Sequence, residues 1–162
     1  MSQSALLRSE KGLGLPSTAR KRDTKVAKVS VVASVPAEER DDHFATRNGV
    51  RCAGVHLIVD LHGAKGLDDI DLIEATLRRC VDEAGATLLH IHLHHFQPNG
   101  VSGVAVLAES HISIHTWPDM GYAALDVFMC GKANPDKCIP VLREAFNARR
   151  VAVNEMLRGQ DA

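Results

Sequence analysis

The sequence predicts an α+β protein, a two-layer sandwich in which an antiparallel sheet carries two helices packed on one face. Three observations support this fold class. Strand-like segments, with period-two or continuous apolar patterning, are the most frequent type along residues 54–159. Two segments repeat their apolar residues at helical spacing instead. The resulting order is β-α-β-β-β-β-α-β, which favours an antiparallel sheet with both helices packed on one face.

The first two elements have clear signals. Residues 54–63, GVHLIVDLHG, have the apolar pattern of a half-buried strand. From Asp68 onward, apolar residues recur at helical spacing up to Val81, and acidic side chains fill the first turn, where the helix dipole favours them. Gly85 suits the end of this helix. An amphipathic helix therefore follows the first strand.

The remaining elements follow from the same two periods. Four further strands are predicted before the second helix, at residues 86–97, 100–109, 111–117 and 121–131. Residues 135–150 predict the second helix, and Pro140 either delays its start or kinks it. Residues 149–157 predict the strand that completes the sheet.

Composition indicates two regions in the chain. Residues 51–162 are expected to form a single domain with its own core, since 45% of the 162 residues are hydrophobic. Residues 1–50 contain nine Lys and Arg against six Asp and Glu, and we expect them to form a flexible basic extension. Its cluster Arg20, Lys21 and Arg22 is interpreted as a solvated charge run, so no nucleic-acid partner is expected.

The sequence carries no sign of a membrane or an oxidising compartment. Its apolar runs are far shorter than the roughly 18 residues of a membrane span, and its first residues lack the apolar middle of a secretory signal. The four cysteines form no CxxC pair and are expected to be free thiols. We therefore expect a cytoplasmic protein without a membrane partner.

The segment from Glu109 to Gly131, ESHISIHTWPDMGYAALDVFMCG, places reactive groups in strand-like sequence. A Ser hydroxyl can attack the preceding carbonyl if the backbone is strained and the carbonyl is polarised, which converts the amide to an ester. Loss of the Ser110 Cα proton would then expel the Glu109 carboxylate, and hydrolysis of the dehydroalanine would leave a pyruvoyl group. His115 is the candidate acid or base, and Ser102 could donate to the oxyanion. The competing interpretation is that these Ser and His residues are ordinary polar side chains on strand surfaces, without a chemical role.

A second cluster suggests a metal. His90, His92 and His94 alternate along one strand, so their imidazoles share a face. No carboxylate or Cys lies in a matching register, and a solvent-facing strand surface explains the pattern equally simply. We therefore assign no metal site.

The run from Phe96 to Gly131 resembles the bacterial and archaeal S-adenosylmethionine decarboxylase proenzyme family. The family's hallmark is an ESH-x-S/T-IHTWPE-x-GYAA-x-D-x-F-x-CG block, and looser similarity covers roughly residues 52–159. The resemblance implies autocleavage at Glu109–Ser110, a pyruvoyl cofactor derived from Ser110, and a processing role for Ser102 and His115. It also implies a homodimer of processed two-chain protomers.

The resemblance further implies a substrate, S-adenosylmethionine, whose decarboxylation supplies the aminopropyl donor for spermidine biosynthesis. The substrate amine forms a Schiff base with the pyruvoyl carbonyl, which accepts the electrons left by carboxylate loss. Cys130 matches the Cys that protonates the product carbon, and Phe96 matches the aromatic residue that stacks on adenine. Asp119 stands where the family has a Glu that binds the ribose hydroxyls.

Two alternatives stay open, the first because Asp119 is shorter than the Glu of the family. Related pyruvoyl enzymes decarboxylate arginine or ornithine, and this chain could share their substrate. A non-catalytic binding protein or pseudoenzyme is the other alternative. The joint presence of Glu109, Ser110, Ser102, His115 and Cys130 argues against a protein without catalysis.

Overall fold

The computed structural model describes residues 43–160 of the chain. Its strands, in chain order, are β1 (Ala45–Arg47), β2 (Val50–Cys52), β3 (Gly54–His62), β4 (Leu88–His95), β5 (Val101–Leu107), β6 (Ser110–Trp117), β7 (Tyr122–Met129) and β8 (Arg150–Arg158). Six of them form one sheet in the spatial order β4-β5-β6-β7-β3-β8. Every neighbouring pair in this sheet is antiparallel. The predicted element order and sheet type are confirmed.

Two helices cover one face of the sheet. Helix α1 (Ile70–Ala84) and helix α2 (Cys138–Ala145) pack against each other, and their apolar sides meet alternate residues of the strands. The largest fully buried side chains of this layer are Phe146, Leu57, Leu61, Ile73, Leu77, Ile112 and Ile114. Burying one such side chain contributes about 1.5–3 kcal/mol of hydrophobic free energy. The predicted two-layer α+β fold is therefore confirmed.

The helix ends differ in detail from the predicted ones. Asp69 is the N-cap of α1, because its side chain accepts the amides of Asp71 and Leu72 at 3.1 and 3.0 Å. Gly85 ends the helix at φ 68°, as predicted. Helix α2 begins at Cys138, so Pro140 does not delay it, because a first-turn residue needs no intrahelical N–H bond.

A hairpin that the sequence analysis did not anticipate precedes β3. Strands β1 and β2 pair antiparallel around Asn48 and Gly49, whose φ values are 52° and 81°. Asn-Gly is the preferred sequence for a two-residue turn in which both residues have positive φ. The basic extension was expected to run through residue 50, and its remaining residues, including Arg20, Lys21 and Arg22, lie outside the described part of the chain.

The opposite face of the sheet, which we call the open face, is not covered by any helix or strand among residues 43–160. It carries the strand residues that alternate with the buried ones. These include His56, Ile58, Asp60, His90, His92, His94, Ser102, Val104, Ser113, His115, Asp126 and Phe128. The open face is therefore mixed in polarity. His90, His92 and His94, which we call the histidine stripe, all lie on it.

Neither of the two described helices has the length and apolar character that a membrane span requires.

Candidate active site

The Glu109–Ser110 peptide lies at the turn between β5 and β6, where β6 begins. Ser110 has a φ of 144°, a value that residues other than glycine rarely adopt. Such a backbone conformation costs on the order of 1–3 kcal/mol and persists only where surrounding contacts hold it. The bond singled out from the sequence is therefore the place where the backbone is strained.

The carbonyl oxygen of Glu109 accepts two hydrogen bonds from one residue. The backbone N–H of Cys130 donates to it at 3.0 Å, and the Cys130 thiol donates at 2.9 Å. Cys130 follows β7, which pairs with β6, so the sheet itself brings this residue to the turn. Two donors on one carbonyl draw electron density from its carbon, which makes that carbon a better target for a nucleophile.

The side chain of Glu109 is held as well. Its carboxylate accepts the backbone N–H of Thr87 at 2.9 Å and the Thr87 hydroxyl at 3.2 Å. Thr87 immediately precedes β4, on the other side of β5. The residue before Ser110 is therefore fixed through both its carbonyl and its carboxylate, and these contacts can maintain the strained conformation of Ser110.

Ser102 and His115 form a second pair. They are direct cross-strand partners on β5 and β6, and the Ser102 hydroxyl lies 2.8 Å from His115 Nδ1. Both side chains lie on the open face. An imidazole that is hydrogen-bonded to a hydroxyl in this way can accept or donate a proton, depending on its tautomer.

The Ser102 and His115 pair lines a cleft of about 420 Å³. Its walls are formed by Phe96, Asn99, Gly100, Ser102, His115, Thr116, Trp117, Asp119 and Met120. Phe96 is 47% exposed and Trp117 is 45% exposed, so aromatic rings are available to a ligand. This volume is within the usual range for small-molecule sites. Phe96 and Asp119, the two residues predicted to bind substrate, both line the cleft.

Asn99 orients the carboxylate of Asp119. Its side-chain amide nitrogen lies 3.1 Å from each of the two carboxylate oxygens and donates to them. The Asn99 amide group thus holds the Asp119 carboxylate, although the Asp119 side chain is one methylene shorter than that of Glu. Each carboxylate oxygen keeps lone pairs for further hydrogen-bond donors. The sequence analysis did not identify Asn99.

Asp68 anchors the loop that carries Phe96 and Asn99. Its Oδ1 accepts the backbone N–H of Gly100 at 2.7 Å and lies 2.9 Å from His95 Nε2. The hydrogen bond from the Gly100 amide is the main cause that holds the pKa of the Asp68 carboxyl below its ordinary value. The contact with His95 lowers this pKa further. From its sequence, Asp68 is expected in the first turn of α1, where the helix dipole alone explains an acidic side chain.

The structure brings the predicted residues together as two groups rather than one. Glu109, Ser110 and Cys130 lie at one end of the sheet, while Ser102 and His115 lie toward the other. Ser110 and His115 are five residues apart on β6, which at about 3.3 Å per residue corresponds to roughly 16 Å. Within a single chain, His115 therefore does not reach the Glu109–Ser110 bond.

The histidines of β4 are not arranged as a metal site. Among residues 43–160, no group of three or more His, Cys, Asp or Glu side chains is arranged to hold a metal ion. His94 of the histidine stripe instead packs edge-on against Phe96, with ring centroids 4.6 Å apart. Cys52, Cys80 and Cys138 are free thiols buried in the core.

Residues 55–159 match the family model described as S-adenosylmethionine decarboxylase. The chain is thus an enzyme of the decarboxylase class. A relative from Thermomicrobium roseum, named S-adenosylmethionine decarboxylase proenzyme, is 46% identical over 112 residues, which are 68% of this chain and 97% of the relative. This chain belongs to the S-adenosylmethionine decarboxylase family, as the sequence resemblance predicted.

Other comparisons agree with this family. A protein of the same name from Methanococcus vannielii is 49% identical over 109 residues, covering 65% of this chain and 89% of the relative. The crystal structure of the adenosylmethionine decarboxylase from Aquifex aeolicus superimposes with a TM-score of 0.62 at 35% identity. That match covers 67% of this chain and 92% of the other. The family match begins at residue 55, so hairpin β1–β2 precedes it.

Proposed function

We propose that the chain cleaves itself between Glu109 and Ser110, converts Ser110 into a pyruvoyl group, and then decarboxylates S-adenosylmethionine. The product is the aminopropyl donor for spermidine biosynthesis. The family and the names of the relatives support the substrate. The observation that carries the proposal is the strained Ser110, whose preceding carbonyl accepts two hydrogen bonds from Cys130.

Self-cleavage begins with attack of Ser110 Oγ on the carbonyl carbon of Glu109. The C–N bond breaks, an ester forms to Oγ, and Ser110 gains a free amine. The Cys130 amide and thiol stabilise the oxyanion that develops on the Glu109 oxygen. The strain at Ser110 is relieved when the peptide bond opens, which favours the ester.

Proton abstraction from the Ser110 Cα then breaks the bond between Cβ and Oγ. The leaving group is the carboxylate of Glu109, which becomes the C-terminus of the first fragment. The dehydroalanine that remains tautomerises to an imine, and one water replaces its nitrogen, which leaves as ammonia. Because His115 of the same chain is too far away, His115 of a second chain is suited to take the Cα proton, since Ser102 fixes the orientation of its imidazole.

The pyruvoyl group supplies an electron sink for carboxylate loss. This chain's residues must bind the substrate, exclude water and return one proton to the correct carbon. Cys130 is suited to deliver that proton, because its thiol already points at the carbonyl next to the future cofactor. Protonation of the cofactor carbon instead would inactivate the enzyme.

The cleft around Ser102 and His115 suits the nucleoside part of the substrate. Phe96 offers an exposed ring face for adenine, and base stacking on an aromatic side chain is worth about 1–3 kcal/mol. Asp119, held by Asn99, keeps acceptor lone pairs for two ribose hydroxyls. Arginine and ornithine have neither part, so they would make neither the stacking contact with Phe96 nor the hydroxyl hydrogen bonds with Asp119.

A homodimer explains how the two groups of residues act together. If two chains pair their open faces around a twofold axis, the Ser110 and Cys130 end of one chain can face the Ser102 and His115 end of its partner. Each dimer then contains two complete sites.

The proposed biosynthetic role is also consistent with the cytoplasmic location that the sequence predicts.

The dimer has a direct test in co-expression of Ser110→Ala with His115→Ala. Each variant alone lacks one half of every site. With equal amounts, half of the dimers are mixed and each mixed dimer has one intact site of two, so activity should return to about a quarter of wild type. No recovery would mean that each site is built from a single chain.

The substrate is tested by assaying carbon dioxide release from S-adenosylmethionine, arginine and ornithine side by side, with Ser110→Ala as the inactive control. We expect turnover of S-adenosylmethionine alone. Efficient turnover of arginine or ornithine without S-adenosylmethionine would overturn the substrate and leave the pyruvoyl chemistry intact.

A further inference from the structure

Hairpin β1–β2, with the residues flanking it, contacts the segment that follows the thiol of Cys130. The described chain begins at His43, whose carbonyl oxygen accepts the backbone N–H of Gly131 at 2.8 Å. Gly131 is the residue directly after Cys130 and has a φ of 63°. The hairpin also lies outside residues 55–159, which match the family. The hairpin thus precedes the family match and bonds to the proposed active site.

A second contact holds the other end of the same segment. Arg47 forms one ion pair with Asp136, at 2.6 Å, in the short helix before α2. Its second ion pair is with Glu155 on β8, also at 2.6 Å. These two carboxylates hold the pKa of Arg47 above its ordinary value, so the guanidinium stays charged. The segment from Cys130 to Asp136 is therefore held at both ends.

The hairpin has its own attachment to the core, so it can act as a fixed support. Ala45 and Cys52 are 8% and 0% exposed. The Cys52 thiol donates to the Ala45 carbonyl at 3.6 Å, and the Arg51 guanidinium lies 3.8 Å from the centre of the Phe44 ring. The contacts to Gly131 and Asp136 are therefore made by a packed element.

We propose that the His43–Cys52 hairpin, which precedes the family match, is a positioning element for Cys130. It fixes the start and the end of the segment after Cys130, and so keeps the Cys130 amide and thiol on the Glu109 carbonyl. This inference rests on the proposed function, because it assumes that Cys130 acts on that carbonyl and later delivers a proton. A displacement of about 1 Å at a reacting group can cost up to a hundredfold in rate.

Arg47→Ala in the full-length chain tests the inference. Cell-free translation with a radioactive pulse and a chase gives the rate of cleavage at Glu109–Ser110. Purified enzyme gives the partition ratio, which is the number of turnovers per inactivation. Arg79→Ala is the matched control, since Arg79 and Glu144 form a surface ion pair between α1 and α2 with no contact to the site. Arg47→Lys keeps the charge.

We expect Arg47→Ala to cleave about tenfold more slowly and to lower the partition ratio severalfold. Arg79→Ala should match wild type in both, and Arg47→Lys should recover much of the loss. A wild-type cleavage rate and partition ratio in Arg47→Ala would overturn this inference alone. An uncleaved wild-type chain would overturn the proposed function beneath it. If Arg47→Ala does not fold, Asp136→Asn, which removes the ion pair that holds the end of the segment, takes its place with the same outcomes.

Discussion

Substitution of Cys130 should separate the two steps that this residue serves. In the uncleaved chain the Cys130 thiol donates to the Glu109 carbonyl at 2.9 Å, beside the Cys130 amide at 3.0 Å. Cys130→Ala removes the thiol and leaves the amide. Cys130→Ser replaces the thiol by a hydroxyl, which is a competent donor but a far weaker acid. The two variants should therefore behave differently in self-cleavage and alike in turnover.

The size of the effect follows from the donors that remain. Loss of one donor from an oxyanion hole costs a factor of about 10²–10³ in typical enzymes. A thiol is a weaker donor than an amide, and the Cys130 amide stays in place. We therefore expect Cys130→Ala to slow self-cleavage about 5- to 30-fold, or about 1–2 kcal/mol. Cys130→Ser should cleave within a few fold of wild type, and both cleaved variants should turn over slowly and inactivate early.

A pulse-chase in cell-free translation, followed by gel separation of the two fragments, measures the cleavage rate directly. Turnover and inactivation are then measured on the cleaved fraction of each variant. Cleavage of Cys130→Ala at the wild-type rate would refute the oxyanion role of the thiol. Normal turnover of cleaved Cys130→Ser would refute its role as the proton donor.

Other substitutions test the cleft. Phe96→Ala should lower kcat/KM for S-adenosylmethionine by about one to two decades through lost stacking, while self-cleavage stays normal. Asp119→Ala should lower kcat/KM similarly, whereas a slower cleavage in either variant would contradict a role confined to substrate binding. Asp68→Ala should raise KM severalfold, since it frees the loop at Gly100. The folded-state pKa of Asp68 is lowered, so its stabilising contribution is present above the unfolded value of about 3.9 and is lost as pH falls through the folded value. Thermal unfolding should therefore show that wild type loses more stability than Asp68→Ala over this acid range.

The fold could be predicted from the sequence because its signals are local. Period-two patterning, the acidic start of α1 and Gly85 at its end each depend on residues within one element. The hairpin β1–β2 had a local signal too, in Asn48 and Gly49, but polar residues around it favoured a flexible extension. The polar composition of residues 1–50 therefore counted for more than the turn signal of two residues within it.

The geometry of the candidate site could not be predicted, because it depends on contacts between distant residues. Glu109 and Cys130 are 21 residues apart, and only the pairing of β6 with β7 brings them together. The sequence also suggested that His115 acts beside Ser110. Their five-residue spacing along β6 separates them, and the strand predicted at residues 111–117 already implied that distance.

The intact masses of the purified protein test the central claim most directly. Self-cleavage predicts two fragments, residues 1–109 and residues 110–162, with the second lighter by one ammonia than the product of simple peptide hydrolysis. Ser110→Ala, expressed in the same way, should give one uncleaved mass. A single intact chain that decarboxylates S-adenosylmethionine at full rate would contradict the account.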